Sequence, residues 1–318
     1  MKTNVWKSCG LIAAAAALLL TGGTTVAKPP AGPNIASSSC GGVPVPASGN
    51  AYCSFEGNGA GVVIAQNSCN VVGACLLLGN GSRIGRDSCN AEGACIEAAT
   101  LGGSSVIGNG SCNAELACAF AGIEGSSVIG NDSCNDGSEA CEAAGANHSQ
   151  SRIGNRACNG RAACLFINTG DLDTGRAGTS VVGNDSCIGL GACAFIAQNG
   201  GISTIGNNAC RGDFSCFDAA QDFGADEFTG SVSAIGNNSC VGEGACQSVG
   251  GFGGHSTIGN QSCNNDYACE FSGAEPDNSS RIGNHSCNGL TDFTDPDFPI
   301  GICDTNRGII GNNQRNGP

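Results

Sequence analysis

The residues of this 318-residue chain with the richest chemistry are its 23 cysteines, and their spacing decides which chemistry is open to them. Cys9 stands apart. The other 22 fall into pairs: Cys40 with Cys53, Cys69 with Cys75, Cys89 with Cys95, Cys112 with Cys118, Cys134 with Cys141, Cys158 with Cys164, Cys187 with Cys193, Cys210 with Cys216, Cys240 with Cys246, Cys263 with Cys269, and Cys287 with Cys303. Cysteines can ligate metal, attack as thiolates or oxidise to disulfides. An even number at recurring spacing in an exported chain predicts disulfides, whereas zinc knuckles favour a closer C-x-x-C spacing and a cytosolic setting. Pairing between neighbouring copies is geometrically allowed, but every copy carries its own pair, which favours closure within the copy. Oxidised sulfurs are then unavailable as nucleophiles or ligands.

Carboxylates are the next candidates, either as the acid–base pair of a polysaccharide-cleaving enzyme or as calcium ligands. Asp171 and Asp173, then Asp222, Asp226 and Glu227, then Asp292, Asp295 and Asp297 form three groups, each in a separate insertion with no arginine or lysine recurring beside it. Solvated loop charge is the expectation for all three. The last group is the one to test first for calcium, although it lacks the G-G-x-G-x-D repeat of calcium-binding β-rolls. His148, His255 and His285 occupy different positions of the repeat, and serine fills the motif everywhere, so no catalytic triad can be singled out. Asn-x-Ser sequons at Asn109, Asn131, Asn184, Asn237, Asn260 and Asn284 arise from the repeat itself and read as structural. No catalytic, cofactor-binding or metal residue is assigned.

The elements that position these groups are copies of one motif, S-x-I-G-N-x-S-C-N-x-x-G-A-C, seen well at Ser105 to Cys118 and Ser233 to Cys246. A truncated copy, Ile310, Gly311 and Asn312, ends the array. First cysteines recur mostly every 22 to 24 residues, the period of a solenoid coil, and the length variation falls between the second cysteine and the next serine, at one corner of each coil. The S-x-I segment has the period of two that marks a strand, with Ser105 and Ile107 inward and a freely varying residue outward: Arg83, Val106, Thr204, Ala234, Arg281. The following glycine is expected to permit a bend and the asparagine to form a ladder with its copies. Short apolar runs after the second cysteine, Leu76 to Leu78, Leu165 to Ile167 and Ala194 to Ile196, are expected to be further strands. Threonine reaches the outward column only at Thr204 and Thr257, too rarely for an ice-matching face. About ten coils stacked at strand spacing give a rod on the order of 50 Å long.

Composition agrees. Glycine contributes 53 residues and aromatics only 5%, so the core must be thin. Residues 1–27 read as a signal peptide: Lys2 and Lys7 precede the apolar run Leu11 to Leu20, and Thr25, Val26 and Ala27 form a small-residue cleavage site. Ten apolar residues are too few to span a membrane, so no membrane insertion is expected. Without Lys2 and Lys7 the chain keeps 11 basic residues against 27 acidic, a surface that repels nucleic acid. Residues 28–61 are read as a linker and disulfide-stapled cap, and 62–318 as the solenoid.

The S-V-I-G-N segments at Ser105 and Ser127 resemble right-handed parallel β-helices, whose coils of this length carry I-x-x-N turns and variable corner loops. They are also similar to the head repeats of trimeric autotransporter adhesins, which share an S-x-x-I-G strand. The chain has no heptad stalk, no C-terminal membrane barrel and a longer coil with cysteines, so the likeness does not extend to trimerisation or self-export. Together these readings predict an all-β parallel β-helix, right-handed, with one disulfide per coil. The expected function is that of a secreted or cell-surface structural or adhesive module meeting an extracellular protein or glycan surface, the alternative being a polysaccharide lyase or hydrolase.

Overall fold

A computed structural model describes residues 32–46, 49–170, 177–220, 231–250, 254–272, 279–289, 303 and 308–314. The strands are β1 (Asn34–Ile35), β2 (Cys53–Phe55), β3 (Val63–Ile64), β4 (Cys75–Leu78), β5 (Arg83–Ile84), β6 (Ser104–Ile107), β7 (Ser126–Ile129), β8 (Gln150–Ile153), β9 (Thr179–Val182), β10 (Ile202–Ile205), β11 (Val232–Ile235), β12 (His255–Ile258), β13 (Ser279–Ile282) and β14 (Ile309–Ile310). All but β2 and β4 stack in chain order into one parallel twelve-stranded sheet. The chain is therefore a parallel solenoid, of about nine full turns. The tenth copy, closed by Cys287 and Cys303, has residues 290–302 outside the described set.

Alternation places these strands as the motif predicts. Serine and isoleucine of each S-x-I point in and the residues around them point out, the pattern of β6, β8, β9 and β10 alike. Register is unbroken, with Ser105 beside Ser127, then Ser151, Ser180, Ser203, Ser233, Ser256 and Ser280. A slip of one residue would turn every isoleucine to solvent, which is why the register holds. The core is as thin as the composition requires. It is a column of isoleucines, a column of cysteines and a set of alanines, with Ile129, Ile153, Cys134 and Ala140 nearly or fully buried.

The asparagine after each I-G builds the expected ladder. Its Oδ1 accepts the backbone N–H at the matching position of the rung before, from Asn109 to Asn131 to Asn155 and on through Asn184, Asn207, Asn237, Asn260, Asn284 and Asn312, at 2.7–2.8 Å. The residue after it adopts a left-handed backbone, as at Asp132, Asp185 and Asn238, and asparagine and aspartate are the non-glycine residues that tolerate that region best. The next serine donates its hydroxyl across the rung boundary, for example Ser111 to the Gly130 carbonyl at 2.7 Å and Ser133 to that of Gly154 at 2.8 Å. At two rungs alanine replaces this serine, Ala157 and Ala209. We predict that Ala157→Ser, which restores a donor to a position built for one, raises stability by about 1 kcal/mol in denaturant unfolding. The inward hydroxyls behave differently. Ser105, Ser127, Ser151 and Ser180 are buried with no partner among the described residues, so Ser127→Ala should be neutral or mildly stabilising, whereas Ser133→Ala should cost about 1 kcal/mol.

Two expectations are corrected. The glycine of I-G-N does not serve a bend: Gly85, Gly108, Gly130 and Gly206 are not left-handed, and a Cβ on Gly130 would sit 2.5 Å from the carbonyl of Gly154. Glycine is needed because stacked rungs touch there. Of the apolar runs after the second cysteine, only Leu76 to Leu78 lies in a strand, β4 paired with β2. Elsewhere that side is a chain of overlapping turns with alternate residues left-handed, such as Phe166 and Asn168, or Phe195 and Ala197. One N–H bonds back within the rung, Ala194 to the Gly191 carbonyl at 3.2 Å, and the next bonds across it, Phe195 to the Leu165 carbonyl at 2.9 Å. Within the stretch read as a stapled cap, where Cys40 and Cys53 are bonded, Asn34 and Ile35 pair with Val63 and Ile64, Ser39 donates to the Ala65 carbonyl, and Cys53 pairs with Cys75.

Candidate functional site

Each rung closes on its own disulfide, with Cα atoms 5.4–5.8 Å apart, and the cysteines are fully buried. Stacking brings sulfurs of adjacent rungs close, so that Cys112, Cys118 and Cys134, or Cys141, Cys158 and Cys164, lie within 4.8 Å of one another. Three neighbouring thiolates would suit a soft metal ion, but a sulfur already bonded to sulfur offers none.

The carboxylates singled out by sequence, Asp171 and Asp173, Asp222, Asp226 and Glu227, and Asp292, Asp295 and Asp297, lie outside the described residues. The histidines are spread over different features. His148 is exposed at a corner, His255 faces outward from β12, and His285 holds the left-handed position after the ladder asparagine. The sequon asparagines from Asn109 to Asn284 are the ladder residues themselves. Their side-chain oxygens are engaged rung to rung.

The turn side holds groups that sequence reasoning missed. Phe166 and Phe195 stack at 5.7 Å and Phe217 meets Phe195 edge-on at 5.3 Å, forming a half-buried aromatic ridge on successive rungs. Glu142 lies one rung before Phe166 and Asp218 one rung after Phe195. Burial pushes both carboxyls up to about 7, with neighbouring Glu139 adding repulsion at Glu142. The signal was available in principle, as phenylalanine or an acid recurring one or two residues after the second cysteine. Only stacking makes these residues neighbours.

The sign of the resulting pH effect follows from linkage. Both groups bind protons more tightly folded than unfolded, so stability falls as pH rises from about 4 to about 7 and the loss is then constant above it. Partial exposure limits each to about 1 kcal/mol. We predict a lower denaturant midpoint at pH 8 than at pH 5, with Asp218→Asn removing part of the difference; an unchanged midpoint over that range would reject it.

Charge is also segregated between faces. On the sheet face the outward residues include Arg83, Arg152 and Arg281 with the exposed apolar Val106, Val128, Val181 and Ile202, and among the described residues no carboxylate. On the turn side, three residues before the second cysteine, Glu92, Glu115, Asp213, Glu243 and Asp266 are all exposed, and Arg161 is the one cation in that column among the described residues. Asp213 and Asp266 also accept the backbone N–H of Leu190 and Glu243, at 2.9 and 2.8 Å, extending the ladder with carboxylates in place of amides. The chain thus presents long, repetitive faces of differing charge. Comparison with known proteins finds no matching family model, no matching curated protein and no matching solved structure.

Proposed function

We propose that this chain is a non-enzymatic structural or adhesive module of the cell exterior, presenting its rungs as a multivalent array. The observation that carries this reading is the unbroken register of the twelve-stranded sheet, which repeats the same outward positions rung after rung on a scaffold with a disulfide in each. Many weak contacts at a fixed pitch add up to firm attachment without a deep pocket. The disulfides favour an oxidising compartment, in keeping with export.

The enzyme alternative draws on Glu142 and Asp218, whose raised pKa values suit proton transfer. Three rungs separate them, about 14 Å at strand spacing, beyond the roughly 5 to 9.5 Å over which paired carboxyls cleave a glycosidic bond. Incubating the oxidised protein with neutral and acidic glycans, with and without calcium, tests both readings. Binding without product release supports the structural reading. Turnover abolished by Asp218→Asn or Asp226→Asn in a folded protein would replace it with the enzymatic one.

A further inference from the structure

We propose that the flat sheet face docks a second copy of this chain, seating its arginines on the carboxylate column of the neighbour's turn side. The face offers apolar surface around its charges: Val106 and Val128 stack on adjacent rungs, Arg152 follows them and Val181 follows Arg152 in the same outward column, and Ile202 stands in the neighbouring column, the four apolar side chains 37–50% exposed. Its formal charges are the arginines Arg83, Arg152 and Arg281, with no carboxylate beside them among the described residues. Two copies meeting through this same face would set arginine against arginine and leave those charges unpaired. The occupant must therefore bring acid.

The chain's own turn side brings it at the right pitch. Because both faces are made by the same rungs, their side chains repeat with one spacing. Counted along the sheet from β8 to β13, Arg152 and Arg281 are five rungs apart. Glu115 and Glu243 are also five rungs apart, counted through the disulfides that follow them, and so are Glu92 and Asp213. A neighbour lying parallel can thus satisfy both arginines at once, in more than one stagger. Such a contact joins two different faces, so it does not close on itself, and a third copy can add to either side. The product is a raft of rods growing sideways. This deepens the structural reading, and the two fail separately, because a chain that binds glycans yet stays monomeric overturns the assembly alone.

Sedimentation velocity of the purified, oxidised protein over a range of concentrations provides the test. Near physiological ionic strength, where the screening length is about 8 Å, species larger than the monomer should grow with concentration; at about 1 M salt, where it is about 3 Å, association should weaken about tenfold. Two variants of exposed residues reverse one face each, Arg152→Glu with Arg281→Glu, and Glu92→Lys with Glu115→Lys and Glu243→Lys. Each alone should associate about tenfold less than the parent, and an equal mixture should recover assembly, since the acid column of the first meets the intact arginines of the second. Circular dichroism and disulfide mass mapping verify that both are folded. A monomeric parent, association indifferent to the arginine changes, or a mixture no better than its components would each overturn the proposal. Capture of an acidic polysaccharide by a monomeric parent, lost in the arginine variant, would assign the face to that polymer instead.

Discussion

Complete reduction of the eleven disulfides is expected to abolish the fold, with loss of the β circular-dichroism signal and of cooperative melting. Ordinary domains rely on large apolar side chains, but here the interior is lined by isoleucine, alanine, serine and sulfur. Nine of the crosslinks span six or seven residues. On a chain-entropy model each contributes about 2 kcal/mol, so the set contributes on the order of 20 kcal/mol. That exceeds the roughly 5 to 15 kcal/mol by which folded domains usually outlast their unfolded chains. Buried sulfur also implies slow attack, so reduction should require denaturant and proceed far faster with it. A reduced, alkylated chain that keeps its spectrum and melts within a few degrees of the oxidised one would show that the ladders suffice.

The second large effect is expected from a single methyl group. Gly130→Ala would place its Cβ 2.5 Å from the backbone carbonyl of Gly154, on the next rung, where no flexible side chain can yield. Rungs would have to part, breaking the Asn131 to Asn155 ladder bond and the Ser133 hydroxyl bond beside it. We expect a loss of at least about 3 kcal/mol, at the upper end of what overpacking costs. The same motif position supplies its own control. At Gly311, in the last described rung, an added Cβ meets only the end of the Gln314 side chain at 3.1 Å, so Gly311→Ala should cost less than about 1 kcal/mol. Equal losses at the two sites would mean that backbone conformation, not rung contact, demands the glycine.

Much of the coil could be read from residue spacing. Cysteines six apart, the alternation of S-x-I and the recurrence of asparagine after glycine each have a local cause: a closed loop, a two-residue strand period, a side-chain amide able to reach the neighbouring backbone. The rung around Asn34 to Cys53 was harder to see, because its cysteines lie thirteen apart and prolines interrupt the motif. The turn side was harder still. Left-handed backbone at Glu97, Phe120, Phe195 and Asp218 runs against the preference of those residues, and it is imposed by bonds to the rungs on either side.

The same division separates the two halves of the functional reading. Sequence alone determined that this chain is a repeat of disulfide-closed parallel rungs around a slender interior, since each rung's instructions lie within one copy of the motif. Tertiary structure decided which faces exist. Arg152 and Arg281, or Glu142 and Asp218, are far apart along the chain and become parts of one surface only when rungs stack. Pitch and register then set what stands beside what, and those are properties of neighbouring copies rather than of any one.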